Sequence, residues 1–439
     1  MKIVVLAGGN STERDVSLSS GGMIYHALKN NGHQAVLLDV YLGIEGDTEG
    51  IFTWEQDWAA SVSAVGENAP DVETVKALRK DGGKSFFGPN VLKICQEADC
   101  VFLALHGANG EDGRIQACFE LMGISYTGAD SVGSCLAMDK GIAKDLFQTY
   151  HIPTPAGIRL KKGEARQNTM RQNRALQSGN LQRGKPQSGN LQSGKPQSDN
   201  LQSGNLQSDN LQSGKPQSEN LQSGMAQSEN LQSGMAQGEL PQSKNPENEI
   251  PYPRIVKASC GGSSIGVCIA RNEEEYEKAM EEAFRYGDEI IVEQYIRGRE
   301  FSVGVLDGKA LPVIEMAPKA GFYDYKNKYQ PGTTVETCPA RIPEEKARKM
   351  QEISERVFRA LRLKSYARMD FVMNEAGEIF CLEGNTLPGM TPTSLLPQEA
   401  AAAGMDFGQL CEAILELAHK KSSESRFTDN TGKGYGNLI

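Results

Sequence analysis

Three oxygen-bearing side chains lie near one another toward the C-terminal end of the chain. Asp370 opens an apolar stretch, residues 374–377 have the composition of a hairpin turn, and the predicted strand 379–382 leads into Glu383 and Asn385. Paired strands would hold two carboxylates and an amide oxygen side by side. Oxygen ligands of this kind suit Mg²⁺, which takes phosphate oxygens and water at its other positions. A solvated acidic hairpin is the alternative that this spacing alone leaves open.

A glycine-rich loop follows another predicted strand, 254–258. Residues 261–266 read Gly-Gly-Ser-Ser-Ile-Gly, and Lys257 adds a positive charge beside them. Glycines let a backbone approach a polyphosphate closely enough for its amides to donate hydrogen bonds. The loop differs from a Walker loop because no Gly-Lys-Ser/Thr sequence opens a helix after it. A plain hairpin is the alternative for a glycine loop considered alone.

Composition limits the class of protein. A chain of 439 residues, 23% of them charged, can form two or three packed domains. Its net charge of −10 argues against a general nucleic-acid binder. Nine cysteines without a Cys-x-x-Cys pair indicate reduced thiols rather than disulfides or a zinc site. The N-terminus runs directly into an apolar strand and no apolar run approaches about 18 residues, so we expect a soluble, cytoplasmic protein without a membrane segment.

The first part of the chain alternates strands and helices. The predicted elements are strands at residues 2–7, 34–40 and 100–105 and a helix from about 15 to 29. This rhythm predicts a mostly parallel sheet with helices on its faces. Sites in such sheets lie at the carboxyl ends of strands, where Glu13 and His106 fall. The alternatives are a helix N-terminal charge for Glu13 and a buried structural role for His106.

The last part of the chain combines strands with amphipathic helices. The further predicted elements are strands at 290–295 and 301–306 and helices at 272–286, 344–361 and 407–419. The polar tail from residue 420 is expected to fray.

Residues 164–249 differ from the rest in composition. Much of this segment repeats every ten residues, as in Gly-Asn-Leu-Gln-Ser-Gly-Lys-Pro-Gln-Ser at 189–198, and it contains no aromatic residue, cysteine or valine. Such a composition cannot bury enough apolar surface to offset ordering entropy, so we expect a disordered insertion. A β-solenoid is the alternative, because Asn-Leu-Gln-Ser recurs at five-residue spacing around 200–211. Elsewhere proline or alanine replaces alternate leucines, which would empty half of the inner stack of a solenoid.

Six motifs carry a resemblance to a known family. They are Leu-Ala-Gly-Gly-Asn-Ser-Thr-Glu-Arg-Asp-Val-Ser-Leu at 6–18, Ala-Leu-His-Gly at 104–107 with Gly-Glu-Asp-Gly at 110–113, Ala-Met-Asp-Lys at 137–140, the glycine loop at 261–266, Phe-Tyr-Asp-Tyr-Lys-Asn-Lys-Tyr at 322–329, and Glu-Gly-Asn-Thr-Leu-Pro-Gly-Met at 383–390. In this order they resemble the D-alanine–D-alanine ligase family of ATP-grasp enzymes. The resemblance covers roughly residues 1–160 and 250–420.

The resemblance implies an α/β fold, the three-domain ATP-grasp architecture with a mostly parallel N-terminal sheet. The implied boundaries are an N-terminal substrate domain at 1–140, a central domain with the glycine loop at 141–163 and 250–310, the repeat insertion at 164–249, a C-terminal domain with the metal site at 311–420, and a polar tail at 421–439. The family joins the flanks of the insertion by a much shorter link. We therefore expect its two ends, near Lys162 and Pro251, to be neighbours.

The resemblance also implies which residues bind ATP and metal. The implied nucleotide set is Lys140, Lys257, Gly262, Ser263, Ser264, Glu293, Glu300 and Lys328. Within this set, Lys140 and Lys257 would bind the phosphates. Glu293 and Glu300 flank a link that would contact adenine, and Glu300 would bind the ribose hydroxyls. The alternative is that both glutamates are charged residues at strand ends without a role in binding. Asp370, Glu383 and Asn385 would hold Mg²⁺ or Mn²⁺, with two ions expected.

For catalysis, the resemblance assigns Glu13 to the ammonium group of the first D-alanine, in a hydrogen-bonded trio with Ser263 and Tyr329. Arg368 would stabilise the tetrahedral oxyanion together with the backbone near Gly389.

Further residues would hold the substrates. His106 lies near the first D-alanine, Lys328 meets the γ-phosphate and the carboxylate of the second D-alanine, and Ser394 and Leu395 hold that carboxylate. Residues 322–329 would form a mobile lid that excludes water from a hydrolysable intermediate, although their aromatic side chains could also be a core cluster.

This sequence departs from the family pattern in places. The family usually has Arg-Glu-Gly where residues 260–262 read Cys-Gly-Gly, and this change affects the rigidity of the loop. Thr393 stands where a histidine is frequent, and Gly384 is smaller than the usual residue between the metal ligands. Neither of these changes removes a reacting group.

The implied reaction is ATP-dependent ligation of two D-alanines, the building unit of peptidoglycan, through an acyl phosphate. One alternative is a D-alanine–D-lactate or D-alanine–D-serine ligase, but Tyr329 argues against lactate because lactate-selective relatives often carry phenylalanine there. Another is an inactive ATP-binding scaffold that displays the repeat, against which the intact lysines and metal ligands argue. The expected partners are D-alanine and ATP, without nucleic acid or membrane. A homodimer is compatible with the sequence.

Overall fold

A computed structural model describes residues 1–63, 65–66, 70–163, 250–262, 266–319, 332–391 and 393–431, with side chains as far as residue 420. These residues form a mixed α/β fold, as predicted, and it contains three sheets. The predictions for the repeat, for the lid, and for Ser263, Ser264, Lys328 and Tyr329 lie outside the described residues.

The N-terminal sheet is parallel, as predicted. Its strands are β1 (Lys2–Ala7), β2 (Gln34–Asp39) and β3 (Cys100–Leu103), in the order β2-β1-β3. Strand β1 is buried from Ile3 onward and reads as an apolar run, which is typical of a parallel strand covered on both faces. Helix α1 (Arg14–Asn30) crosses so closely that a Cβ on Gly21 would lie 2.6 Å from the Cβ of Ala7.

Short helices first join β2 to β3 and then lead from this sheet toward the second one. They are a 3₁₀ turn at Ile51–Thr53, α2 (Val72–Ala77), α3 (Val91–Glu97), α4 (Arg114–Met122), α5 (Ser131–Met138) and α6 (Lys140–Thr149). Asp139 caps α6, because its carboxylate accepts a hydrogen bond from the backbone amide of Ile142 at 3.0 Å. This cap places Lys140 in the first turn of α6.

The second sheet is antiparallel. Its strands are β4 (Gly157–Lys161), β5 (Arg254–Ala258), β6 (Cys268–Ala270) and β7 (Glu289–Gln294), in the order β4-β7-β5-β6. Helix α7 (Glu273–Ala283) buries Tyr276, Ala279 and Met280 against it, as the apolar stripe of the sequence predicts.

The two strands that flank the insertion, β4 and β5, lie on opposite sides of β7. Strands β4 and β5 both pair antiparallel with β7, so they run in the same direction. Lys161 pairs with Glu289 and Arg254 pairs with Gln294, so the chain leaves at one end of β7 and returns at the other. The expectation of neighbouring ends is therefore wrong for these strands, because parallel strands need a connection that crosses the sheet.

The third sheet is also antiparallel. Its strands are β8 (Gly298–Leu306), β9 (Lys309–Ala310), β10 (Ile314–Pro318), β11 (Thr334–Thr337), β12 (Tyr366–Asn374) and β13 (Ile379–Asn385), in the order β11-β10-β8-β12-β13 with β9 beside β8. Helix α8 (Glu344–Ala360) packs on this sheet. The predicted hairpin is confirmed, with Gly377 at a φ of 77° in its turn. Strand β8 belongs to this sheet although the implied domain boundary, which stays a prediction, follows it at residue 310.

Two helices return the chain to the N-terminal sheet. They are α9 (Leu395–Ala402) and α10 (Phe407–Thr431). Helix α10 packs on α1, and Leu410 and Ile414 join the N-terminal core. It extends beyond the predicted end at residue 419, because no glycine or proline interrupts residues 409–431. Among the described residues, no helix has the length and apolar composition needed to cross a membrane.

Candidate active site

Two adjoining cavities contain the predicted site residues that the structure describes. The first lies between the second and third sheets, and the polar residues in its wall include Lys140, Lys257, Gly262, Glu293, Glu300 and Glu383. Its apolar wall includes Ile255, Val267, Ile269, Ile296, Val372 and Leu382. An apolar wall suits a planar ring and the lysines suit an anion. The five described residues of the implied nucleotide set thus line one cavity.

A buried cluster of ion pairs forms part of this wall. Lys257 on β5 contacts Oε1 of Glu293 on β7, and the ammonium of Lys144 on α6 lies 2.6 Å from Oε2. Burial raises the pKa of Glu293, but the two ammonium groups outweigh burial and leave that pKa lowered. Lys144 lies outside the motifs that the sequence offers. Its place one helical turn after Lys140 was the available signal.

Lys140 connects the glycine loop to a predicted metal ligand. Its ammonium donates a hydrogen bond to the carbonyl oxygen of Gly261 at 2.6 Å and lies 3.1 Å from Oε2 of Glu383. Burial lowers the pKa of Lys140, but the Glu383 carboxylate outweighs burial and leaves that pKa raised. Lys140 is therefore a cation at neutral pH, positioned where the two cavities meet.

The hairpin places the predicted metal ligands side by side. Asp370 on β12 pairs with Glu383 on β13, and Arg368 pairs with Asn385. Nδ2 of Asn385 donates to Asp370 at 3.0 Å, and Oγ of Ser302 donates to it at 2.9 Å. Two carboxylates and an amide on neighbouring strands fit a divalent cation that prefers oxygen. No three His, Cys, Asp or Glu side chains converge within the described part of the chain, so Asn385 is needed to complete a three-ligand set.

A β-bulge brings these ligands onto one face. Phe371 pairs with Cys381, and this register would place Asp370 opposite Leu382. The register shifts by one residue between Asp370 and Phe371, so Glu383 lies opposite Asp370 instead. Because residues directly opposite each other share a face, the bulge turns the Glu383 carboxylate toward Asp370.

Arg368 forms a fork with one of the predicted ligands. Its Nε and Nη2 donate to Oδ1 and Oδ2 of Asp370 at 2.9 and 2.8 Å. A cation that takes an Asp370 oxygen would compete with this fork. Glu399 on α9 is fully buried near Arg368, and burial raises its pKa to about 8 despite the guanidinium charge. Glu399 is therefore neutral at pH 7, and no sequence signal indicated it.

The buried acid Glu399 should make stability depend on pH. The folded state holds its proton up to a pKa of about 8, whereas the unfolded state loses it near 4.5. The unfolded state therefore binds fewer protons in this range, and stability falls as pH rises through it. We expect Glu399→Gln to remove this loss, which amounts to about 4 kcal/mol between pH 5 and pH 9.

The measurement is urea unfolding at pH 5 and pH 9. The difference between the two values should be smaller in Glu399→Gln than in wild type. Glu416→Gln, at an exposed glutamate of α10, is the control and should match wild type. An unchanged pH dependence in Glu399→Gln would show that Glu399 is already ionised in the folded protein.

The second cavity meets the first at Gly262 and Glu383, which line both. The described residues that the resemblance assigns to substrate or oxyanion all line it, namely Glu13, His106, Arg368, Gly389, Ser394 and Leu395. They come from the N-terminal sheet, the hairpin and the start of α9. The roles assigned to Ser263, Lys328 and Tyr329 stay predictions.

Glu13 is closely surrounded by glycine backbone. A Cβ on Gly262 or on Gly107 would lie 2.8 Å from Oε2 of Glu13. Gly107 also has a φ of 72°, which other residues rarely adopt. The glycine loop and the loop after β3 therefore both approach the same carboxylate oxygen.

Glu111 lines the second cavity and had no assigned role. Its carboxylate accepts hydrogen bonds from the backbone amides of Gly107 at 2.7 Å and Leu387 at 3.3 Å. Burial, followed by the charge of Glu13, raises the pKa of Glu111 to about 8. Burial lowers the pKa of His106, so its ring is neutral at pH 7. The Gly-Glu-Asp-Gly motif after β3 was the signal for Glu111.

The Ser394 hydroxyl is held in a tight turn. It accepts a hydrogen bond from the backbone amide of Thr391 at 2.9 Å and lies 2.7 Å from the Thr391 hydroxyl. A Cβ on Gly389 would lie 2.7 Å from Oγ of Ser394, so the close approach requires glycine. Leu395 then begins α9, and amides at a helix N-terminus favour a carboxylate.

Two family models match the chain. The model described as "D-ala D-ala ligase N-terminus" matches residues 2–129, and the model described as "D-ala D-ala ligase C-terminus" matches residues 226–416.

Known proteins of similar sequence and structure carry the same name. The D-alanine–D-alanine ligase of Pediococcus pentosaceus is 36% identical over 94% of this chain and 97% of its own. That of Lacticaseibacillus casei is 35% identical over 94% of this chain and 95% of its own. The crystal structure of D-alanine–D-alanine ligase from Bacillus anthracis complexed with ATP has a TM-score of 0.61 at 23% identity, covering 97% of this chain and 99% of that one. The structural likeness shows the same fold.

Proposed function

Because this chain belongs to the D-alanine–D-alanine ligase family, we propose that it joins two D-alanines with ATP and a divalent metal ion. The observation that carries this proposal is that a cavity suited to a nucleotide meets a cavity suited to amino acids at Gly262 and Glu383. A phosphoryl group at this junction would lie beside Lys140. The product, D-alanyl-D-alanine, is a precursor unit of peptidoglycan.

The first step is phosphoryl transfer to the first D-alanine. Its carboxylate oxygen attacks the γ-phosphorus of ATP, the bond to ADP breaks, and an acyl phosphate forms. Glu13 binds the ammonium group of this D-alanine, and Lys140 and Lys257 bind phosphate oxygens. Positioning and electrostatic stabilisation provide most of the catalysis in such a transfer.

Asp370, Glu383 and Asn385 hold the metal, for which we propose two ions of Mg²⁺ or Mn²⁺. When bound, the metal neutralises charge on the phosphoryl oxygens. Arg368, which donates a fork of hydrogen bonds to Asp370, would be available to the reacting carbonyl if this fork opened.

The second step forms the peptide bond. The neutral amine of the second D-alanine attacks the acyl carbon to give a tetrahedral intermediate, the bond from this carbon to the phosphate oxygen breaks, and the nitrogen loses a proton as phosphate leaves. Arg368 and the backbone near Gly389 stabilise the negative oxygen of this intermediate. Ser394 and Leu395 hold the carboxylate of the second D-alanine.

The test is phosphate release by the purified protein with ATP, Mg²⁺ and D-alanine, with mass spectrometry of the product. We expect D-alanyl-D-alanine, and little ester or D-alanyl-D-serine when D-lactate or D-serine is added. A mainly ester product would identify a D-lactate ligase. Nucleotide binding without phosphate release would favour the inactive scaffold.

We propose that the partners are D-alanine and ATP, without nucleic acid or membrane, and that the chain forms a homodimer. Exposed Leu121 and Val132, on the contacting helices α4 and α5, support a second copy as partner. Light scattering in solution tests this.

Removing the repeat should leave the ligase active. Deleting residues 167–243 keeps five residues after Lys161 and ten before Arg254. These extend to roughly 50 Å at about 3.3 Å each, whereas the six residues of β7 span about 20 Å. Loop closure favours the shorter link by about 1–2 kcal/mol. We expect turnover close to wild type and slightly higher stability in thermal unfolding.

A longer deletion is the matched control. Deleting residues 163–251 keeps three residues between the two strands, which reach about 10 Å and cannot span β7. That variant should fail to fold. Loss of turnover in a folded 167–243 deletion would show instead that the repeat has a role in the reaction.

A further inference from the structure

Lys144 is a buried ammonium group that the proposed reaction does not use. Its side chain is 8% exposed, lies 2.6 Å from Oε2 of Glu293, and donates a hydrogen bond to Oγ1 of Thr154 at 2.8 Å. Lys257 and Glu293 line the first cavity, between the second and third sheets, which we call the nucleotide cavity. Lys144 is not among the residues that line it. Lys144 is thus a cation behind the wall of the cavity.

The cluster carries more positive than negative charge. Glu293 is a single carboxylate, 3% exposed, with one ammonium at each oxygen. Burial and the neighbouring Lys257 charge lower the pKa of Lys144. A second anion on the cavity side would compensate the surplus charge, and the phosphates of a nucleotide provide one.

The two lysines differ in what they can reach. Lys257 lies on β5, directly before the glycine loop, and its ammonium can leave Oε1 of Glu293 for a phosphate in the cavity. Lys144 is anchored by Thr154 and keeps its contact with Oε2. A buried carboxylate without a cation is strongly unfavourable, so Lys257 can leave when another cation stays with Glu293.

We propose that Lys144 is a positioning residue that keeps Glu293 paired, so that Lys257 can turn from Glu293 to the phosphates of the bound nucleotide. This inference rests on the proposed use of ATP. The phosphate contact of Lys257 would then depend on Lys144, a residue that does not line the nucleotide cavity.

The test compares ATP with adenosine, which lacks phosphates. In Lys144→Met, Glu293 keeps only the ion pair with Lys257 among the described residues. We therefore expect Lys257 to stay bound to Glu293 and not to reach a phosphate. The dissociation constant for ATP should rise on the order of tenfold, while that for adenosine should change little. Isothermal titration calorimetry measures ATP, and displacement of ATP measures adenosine.

A double variant tests the cause. In Lys144→Met with Glu293→Gln the carboxylate that retains Lys257 is gone, so the preference for ATP over adenosine should return to that of Glu293→Gln alone. Lys144→Arg keeps the charge and should bind ATP like wild type. Thr154→Val removes only the hydrogen bond to Lys144 and should reduce the preference for ATP over adenosine, by less than Lys144→Met does. This variant provides the test if Lys144→Met does not fold.

Two results would overturn the inference. One is an equal loss of ATP and adenosine affinity in Lys144→Met or Thr154→Val, and the other is no recovery of the preference in the double variant. Failure of the wild type to bind ATP is a different outcome, which contradicts the proposed function itself.

Discussion

Glu383→Gln should reduce turnover about a hundredfold or more, because Glu383 is a proposed metal ligand at the junction of the two cavities. A neutral amide binds a divalent cation more weakly than a carboxylate does. The change also removes the ion pair with Lys140, whose ammonium lies 3.1 Å from Oε2. Weaker metal binding should raise the Mg²⁺ concentration needed for half-maximal rate.

The measurement is the rate of phosphate release as a function of Mg²⁺ concentration. Glu375→Gln, at an exposed glutamate in the turn of the same hairpin, is the matched control and should behave like wild type. A Glu383→Gln protein that keeps a near wild-type rate at limiting Mg²⁺ would rule out the metal assignment.

Arg368→Met should also reduce turnover, by about 10²–10³-fold, because it removes a proposed donor to the oxyanion. Its effect on the metal should have the opposite sign to that of Glu383→Gln. Arg368 occupies both oxygens of Asp370 in the fork at 2.9 and 2.8 Å. Without this fork Asp370 is available to the metal, so less Mg²⁺ should give half-maximal rate.

The control for this variant is the loss of another arginine–carboxylate pair with two hydrogen bonds, elsewhere in the same sheet. Arg299, which is exposed on β8, donates from Nε and Nη2 to the half-buried Glu315 of β10 at 2.6 and 2.7 Å. Arg299→Met should change neither turnover nor Mg²⁺ dependence. A higher Mg²⁺ requirement in Arg368→Met would mean that Arg368 orients Asp370 for the metal instead of competing with it.

The local parts of the site follow from residue order alone. Strand β5, the glycine loop and Lys257 are consecutive in the chain, so the predicted strand at 254–258 places the lysine directly before the loop. The turn at 374–377 brings its two flanking strands together for the same reason. Hydrogen bonds within a hairpin join residues that are close in the chain, and turn composition indicates where they form.

Other features depend on contacts between distant parts of the chain. The bulge that puts Glu383 opposite Asp370 is a departure from regular pairing, and turn composition does not show it. Glu13 and Ser394 line one cavity although the chain between them passes through all three sheets. The two strands that flank the insertion pair with β7 on opposite sides and run parallel to each other, which residue order did not reveal.

The charge states of the side chains in and around the site also depend on contacts between distant parts of the chain. Lys144, Glu111 and Glu399 are common residue types in the sequence, and their roles come from burial and from the charges that tertiary packing brings near them. Burial and charge pairing depend on side chains from other elements of the fold. Sequence patterns therefore predicted the family and most of the strands, whereas the pairing of Glu293 with two lysines and the neutral state of Glu399 required the packed structure.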